Sequence, residues 1–416
     1  RGNMTSAYEF LEQRYGPSIR VYGAVAFLVA QVVRLAMILW LLSLLIQQVT
    51  DLSPATAIVL GGLFVGLYTV IGGIDVVIWT DVLQTVVLLL GGLLCLWVIL
   101  DALPGGLGQI FDQAGKAGKF ALAPWEDGAP GETSWSLSLS EKTATMMLLI
   151  GLTNWLTEYS SNQNTVQRYC ASQSTAEARK GLWVYLFTAL PIWAFYMFLG
   201  TALWVFFQVY PDVQAGAILS GETRAETLMP YFITNYLPAG VAGLVIAAAL
   251  AAAMSSLDSS INSVTTVSVV DLYRRHFNPG QDDRHYLKVA WGIAVAVTGL
   301  MIAGALWLNQ ADTKTLQDTS TILVSLLGGG MLGLYLLGFF SNKGDARAAW
   351  CGIACTLVFT GWTILTNKGM LPEALSAPFD LYYTGLIGNL LMFVVGYLAA
   401  SALGGKSGDT EELPTR

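Results

Sequence analysis

Ten apolar runs constrain this 416-residue chain more than any other feature. They lie at about residues 21–49, 54–73, 76–102, 144–162, 181–208, 240–268, 287–308, 318–341, 347–366 and 382–403. A helix needs roughly 20 apolar residues to cross a hydrocarbon layer about 30 Å thick, and these runs meet or approach that length. Backbone polar groups find no water at that depth, so the runs must be helices. Hydrophobic residues make up 54% of the chain and charged residues only 12%, against roughly 25% charged in a soluble domain. The chain reads as an all-α polytopic membrane protein, and a soluble fold is excluded.

Alternating the spans places residues 1–20, 168–180, 271–288, 342–347 and the C-terminal tail on one side, where most of the 21 Lys and Arg residues collect. By the positive-inside rule that side, with the C-terminus, faces the cytoplasm. The net charge of −7 sits in the loops and says little about partners. An outer loop over 103–143 carries an acidic, aromatic patch from Pro124 to Trp135, as a lid or a passive connector. A second outer segment, 209–239, holds a short amphipathic helix, and the polar tail 404–416 reads as disordered. The four cysteines suggest neither disulfide nor metal, the two histidines match no ligand spacing, and no nucleophile–base pair points to an enzyme.

Arg34 interrupts the first of these runs. A cation at that depth costs from about 2.5 kcal/mol on insertion scales to more than 10 kcal/mol on isolated helices. Such a residue pairs with a carboxylate on a neighbouring helix, or it faces a wet cavity and awaits an anion. Gln31, one turn earlier, widens the polar spot. The span from 144 to 167 begins apolar and turns polar at membrane depth, with Asn154, Glu158 and Tyr159 among its polar groups. Such a stretch either lines a cavity where the helix breaks, as in secondary transporters, or is a short helix followed by a wet loop.

The run at 240–270 contains AAALAAAMSSLDSSINSVTT. Its small residues allow close packing, while Ser255, Asp258, Ser259, Asn262 and Thr266 recur at spacings of three or four. A buried acid among hydroxyls offers hard oxygen ligands to a small cation, or forms an internal hydrogen-bond network. A second acid, Asp81, follows a glycine turn at Gly72-Gly73 and shares a helical face with Gln84. Asp81 is either a helix-capping residue or a second cation ligand.

Three segments, GGIDVVIWTDVLQ, NQNTVQRYCASQSTAEARKG and AALAAAMSSLDSSINSVTTVSVVDLY, occur in this order. They are similar to signatures of the solute:sodium symporter family, and the likeness covers nearly the whole chain. Among its members, the chain resembles the bacterial sodium/sialic acid symporters most. The resemblance implies a LeuT-type core of ten helices in two inverted halves, with the binding elements on broken helices. On that pattern the first broken helix and most of the second helix are missing. Residues 1–20 are the end of core helix two, 21–102 helices three to five, 144–341 helices six to ten, and 342–403 two C-terminal accessory helices.

The same resemblance assigns the site. Ala252, through its carbonyl, with Ser255 and Ser256 matches the family's common sodium site. Asp81, Ser255 and Ser259 match a second sodium site found in some members. Where those members have another serine this chain has Asp258, which leaves open whether the second ion is sodium or a proton. Sialic-acid symporters carry an arginine on the helix of Arg34, and a guanidinium fork suits a carboxylate. The implied partners are sodium, a small anionic substrate and the lipid bilayer, with no nucleic acid. Sodium-coupled import of an organic anion, a sialic acid first, is the expected function. A monocarboxylate or neutral sugar is the alternative substrate, and a ligand-sensing membrane module the alternative class.

Overall fold

The computed structural model describes the chain apart from residues 1–5, 122–124, 127–128, 131, 171, 173, 311–329, 342–343, 368 and 404–416; at 48 and 71–78 it describes the backbone. The polar-tail expectation therefore lies outside the described residues, as does the first half of the span at 318–341. Helix α1 (Tyr8–Tyr15) stops at Gly16, whose φ of 99° favours a residue without Cβ, and Pro17 opens α2 (Pro17–Val49). There follow α3 (Pro54–Ala102), α4 (Gly106–Lys116), α5 (Ala144–Ser161), α6 (Gln163–Cys170), α7 (Thr175–Val209), α8 (Val213–Leu219) and α9 (Leu228–Tyr236). Then come α10 (Ala239–Val267), α11 (Asp283–Gln310), α12 (Met331–Phe340), α13 (Ala346–Asn367) and α14 (Thr384–Leu403). A short hairpin in the loop between α4 and α5, Trp125–Glu126 with Ala129–Pro130, is the strand pairing seen among the described residues.

Seven segments among the described residues are long and apolar enough to cross a membrane, and Pro54–Val70 and Met331–Phe340 are shorter apolar helices. Side chains such as Leu67, Phe187 and Met197 stand exposed on these helices, a surface that suits lipid and not water. The runs at 54–73 and 76–102, expected as separate spans, form one continuous helix, α3, of 49 residues. Straight, it would extend roughly 73 Å, more than twice a hydrocarbon layer. Its two limbs pack against different partners. A Cβ on Gly62 or Gly66 would meet Ile302 or Thr298 of α11 at 2.4 Å, so these glycines, four apart, seat the first limb. In the second limb, Gly91 lies against Ala248 of α10 and Gly92 against Phe195 and Tyr196 of α7.

The polar stretch at 144–167 is a true interruption. α5 ends at Ser161, Asn162 is extended, and α6 begins at Gln163. Asn162 caps the new helix, its Oδ1 accepting from the Asn164 N–H at 3.0 Å and its carbonyl from Thr165 and Val166. The carbonyl of Ser161 accepts from Tyr8 Oη, and buried Gln163 accepts from the Ala7 N–H at 2.8 Å. The segment leading into α1 thus satisfies groups that the break leaves open.

α10 runs on into a wider π-helical stretch, Ser268–Phe277. There Asp271 meets Arg20 at 2.6 Å, and Arg20 also bonds Glu12. Burial works to raise the Glu12 carboxyl, but hydrogen bonds from Arg20 and Arg275 outweigh it and hold the group below its usual range. This network ties the α1–α2 elbow to the end of α10. At the other end of the chain, α14 packs on α12, where Asn389 Oδ1 accepts from the Gly333 N–H and a Cβ on Gly333 would strike the Asn389 carbonyl.

Candidate functional site

A cavity of about 390 Å³ opens between α2, α5, α6, α7 and α10. Arg34 of α2, Glu158 and Tyr159 of α5, Arg168 of α6 and Ser255, Ser256 and Ser259 of α10 all line it. The helix break positions Glu158, whose Oε2 accepts from Asn162 Nδ2 at 2.7 Å and whose Oε1 accepts from Thr165 Oγ1 at 2.9 Å. Tyr159 forms an aromatic wall, stacked on Trp155 at 5.5 Å and edge-on to Tyr185 at 5.6 Å. Arg34 is exposed to the cavity and makes no hydrogen bond or ion pair among the described residues. The carboxylate partner allowed for by the sequence is therefore not present among them.

Two other expected substrate residues lie elsewhere. Gln31 is buried away from the cavity, with Oε1 unpartnered. Three helical residues turn a side chain through about 300°, leaving it about 60° off the face of Arg34, enough to move it from cavity wall to interior. Asn154, one turn before Glu158, does not line the cavity either, and nor does Ala252.

Two of the expected cation residues, Ser255 and Ser259, meet at Asp81. Ser255 Oγ donates to its Oδ1 in a short hydrogen bond, and Ser259 Oγ donates to Oδ2 at 3.3 Å. One carboxylate with two hydroxyls is a hard oxygen set of the kind that suits a small cation without transition-metal preferences. Asp258 turns aside: it is fully buried, its Oδ2 accepts from Tyr68 Oη at 3.1 Å and its Oδ1 from the Ser259 N–H at 2.5 Å. The expected stripe divides because Ser255 and Ser259, four apart, face Asp81, while Asp258 is rotated about 100° from Ser259.

Arg168, which the sequence assigns to the cytoplasmic side, is not in a loop but on α6, with Nη2 2.7 Å from Asp81 Oδ2 and 3.3 Å from Ser259 Oγ. Its signal lay in the quoted NQNTVQRYC segment, where a second helix after the break carries the arginine to Asp81. Tyr68, the partner of Asp258, was also missed, since nothing local marks a tyrosine on an apolar span.

A helical membrane bundle with a broken helix beside an oxygen-rich stretch of a neighbouring helix defines a secondary-transporter architecture. Residues 1–355 match the sodium:solute symporter family, and the chain belongs to that family. It is 29% identical over 401 residues to the sodium/sialic acid symporter NanT of Aliivibrio fischeri, covering 96% of this chain and 74% of that protein. It is 30% identical over 400 residues to the sodium/sialic acid symporter SiaT of Proteus mirabilis, covering 95% and 75%. A solved Na+-coupled sialic acid symporter, in a substrate-bound outward-open state that revealed a novel Na+ site, superimposes with a TM-score of 0.81 at 27% identity. That match covers 98% of this chain and 79% of the other. The fold is LeuT-like, as the motifs implied.

Proposed function

We propose that this protein is a multi-pass plasma-membrane symporter, with its C-terminus in the cytoplasm, that uses sodium to import an organic anion, a sialic acid first. It is a transporter and not an enzyme. The observation that carries this reading is Arg34, a guanidinium at membrane depth that opens into a cavity without an ionic partner among the described residues. The cavity volume suits a small organic ligand. The sialic-acid substrates named for NanT and SiaT agree with an anion at this cation.

In this reading Arg34 grips the carboxylate, while Glu158 and Tyr159 meet the hydroxyls and the ring. Gln31 and Asn154 act at most through the residues beside them. Ser255 and Ser256, with the Ala252 carbonyl, hold the first sodium. Asp81, Ser255 and Ser259 hold the second, and Asp258 shapes that site from behind. Ser255 and Ser259 belong to the same wall as the substrate residues, so an ion there and an anion in the cavity stabilise the same arrangement of α10. That coupling is reciprocal: each raises the affinity of the other by the same factor.

Calorimetry on the purified protein tests the assignment. N-acetylneuraminic acid should bind in sodium chloride and not in potassium chloride, and its methyl ester should not bind in either. Tight binding of lactate or glucose in place of the sialic acid would move the monocarboxylate or neutral-sugar reading ahead.

A further inference from the structure

Asp81 is 14% exposed, and the cation nearest to it is a side chain of the protein itself, Arg168. We propose that the Arg168 guanidinium holds the second cation position as a tethered stand-in, and that sodium binds there by displacing it. The proposal rests on the symporter reading above, and it concerns how that transporter remains stable and closed to the ion when sodium is absent.

The argument begins with shared ligands. Arg168 Nη2 contacts Asp81 Oδ2 at 2.7 Å and Ser259 Oγ at 3.3 Å, two of the oxygens that a sodium ion at this place would use. A guanidinium and a sodium ion drawn to the same two oxygens would crowd and repel each other, so each disfavours the other there. The charge balance favours an exchange. Asp81 and the fully buried Asp258 flank Ser259 from two sides, and carboxylates this near each other repel unless a positive charge stands by. Arg168 supplies that charge; when sodium takes its place, the net charge around Asp81 is unchanged.

The displaced group has somewhere to go. The Arg168 side chain is 53% exposed and lines the cavity, so the guanidinium can swing into water with little desolvation to reverse. A bridge buried on both sides would instead resist separation strongly. Release is also felt at the substrate. Arg168 lies one turn after Thr165, which donates to Glu158, and beside Gln167, which accepts from Ser263 Oγ at 3.3 Å. Freeing Arg168 removes the one ion pair that joins α6 to α3 among the described residues. Sodium at Asp81 thereby frees α6 from α3, and α6 can settle with Glu158 on the substrate.

Sodium binding without substrate, followed by intrinsic fluorescence of the intact protein, tests this independently of transport. Arg168→Gln should lower the half-saturating sodium concentration by up to about fivefold, the scale of a largely exposed ion pair. In an Asp81→Asn background the same substitution should change nothing, because the contested carboxylate is gone. Should Arg168→Gln not fold, Arg168→Lys replaces it, with a smaller gain expected because an ammonium makes a weaker bridge. Sodium affinity that falls or stays the same in the folded variant is what a purely structural bridge gives, and it overturns the proposal alone. A lack of sodium binding by the unmodified protein overturns the symporter reading together with it.

Discussion

Arg34→Ala abolishes sialic-acid binding, and Arg34→Lys restores little of it. The guanidinium is exposed to the cavity with no protein anion against it among the described residues, so the substrate carboxylate is its natural partner. Removing one side of a desolvated charge-assisted pair costs about 2–5 kcal/mol, or roughly 30- to several-thousand-fold in affinity. Lysine keeps the charge but not the fork of two parallel donors. Methyl esterification of the substrate deletes the same contact from the other side, so ester and mutation together should lose little more than either alone. An ester that binds the unmodified protein as tightly as the free acid would make Arg34 structural and favour a neutral sugar.

Asp81→Asn lowers the sodium Hill coefficient towards one and leaves substrate binding sodium-dependent. Asp81 is the carboxylate in the cluster with Ser255 and Ser259, and an amide offers a cation no formal charge. The effect on the second ion should equal the loss of a partly buried charge pair, about 2 kcal/mol or more. The common site is served by Ser255, Ser256 and the Ala252 carbonyl in the family pattern, so it keeps its ion. Sodium titrations of initial uptake rate in both proteins decide the matter. A coefficient of one in the unmodified protein would show that it binds no second sodium.

The sequence disclosed the architecture because the membrane leaves few options. Apolar runs of about 20 residues must be helices, and a run that turns polar midway, TNWLTEYSSNQNT, must break or face a cavity. The break at Asn162 follows that logic. What one dimension could not give was direction around the helix. Gln31 shares a turn with Arg34, yet it is rotated into the interior. Asp258 stands one residue from Ser259, yet its carboxylate accepts from Tyr68 and not from the groups around Asp81. The Arg168–Asp81 pair joins positions 87 residues apart, and no local pattern links them. The motifs could show that both residues matter without showing that they meet. The limbs of α3 were legible as two runs, but their partners depend on where Gly62, Gly66 and Gly91 let neighbouring helices approach.

Uptake of radiolabelled sialic acid into proteoliposomes tests the central claim most directly. With sodium outside and potassium inside, the protein should concentrate the label above its external level, and adding a sodium ionophore should collapse that gradient. Binding without accumulation would mark the protein as a sensor, and equal accumulation in potassium alone would contradict sodium coupling.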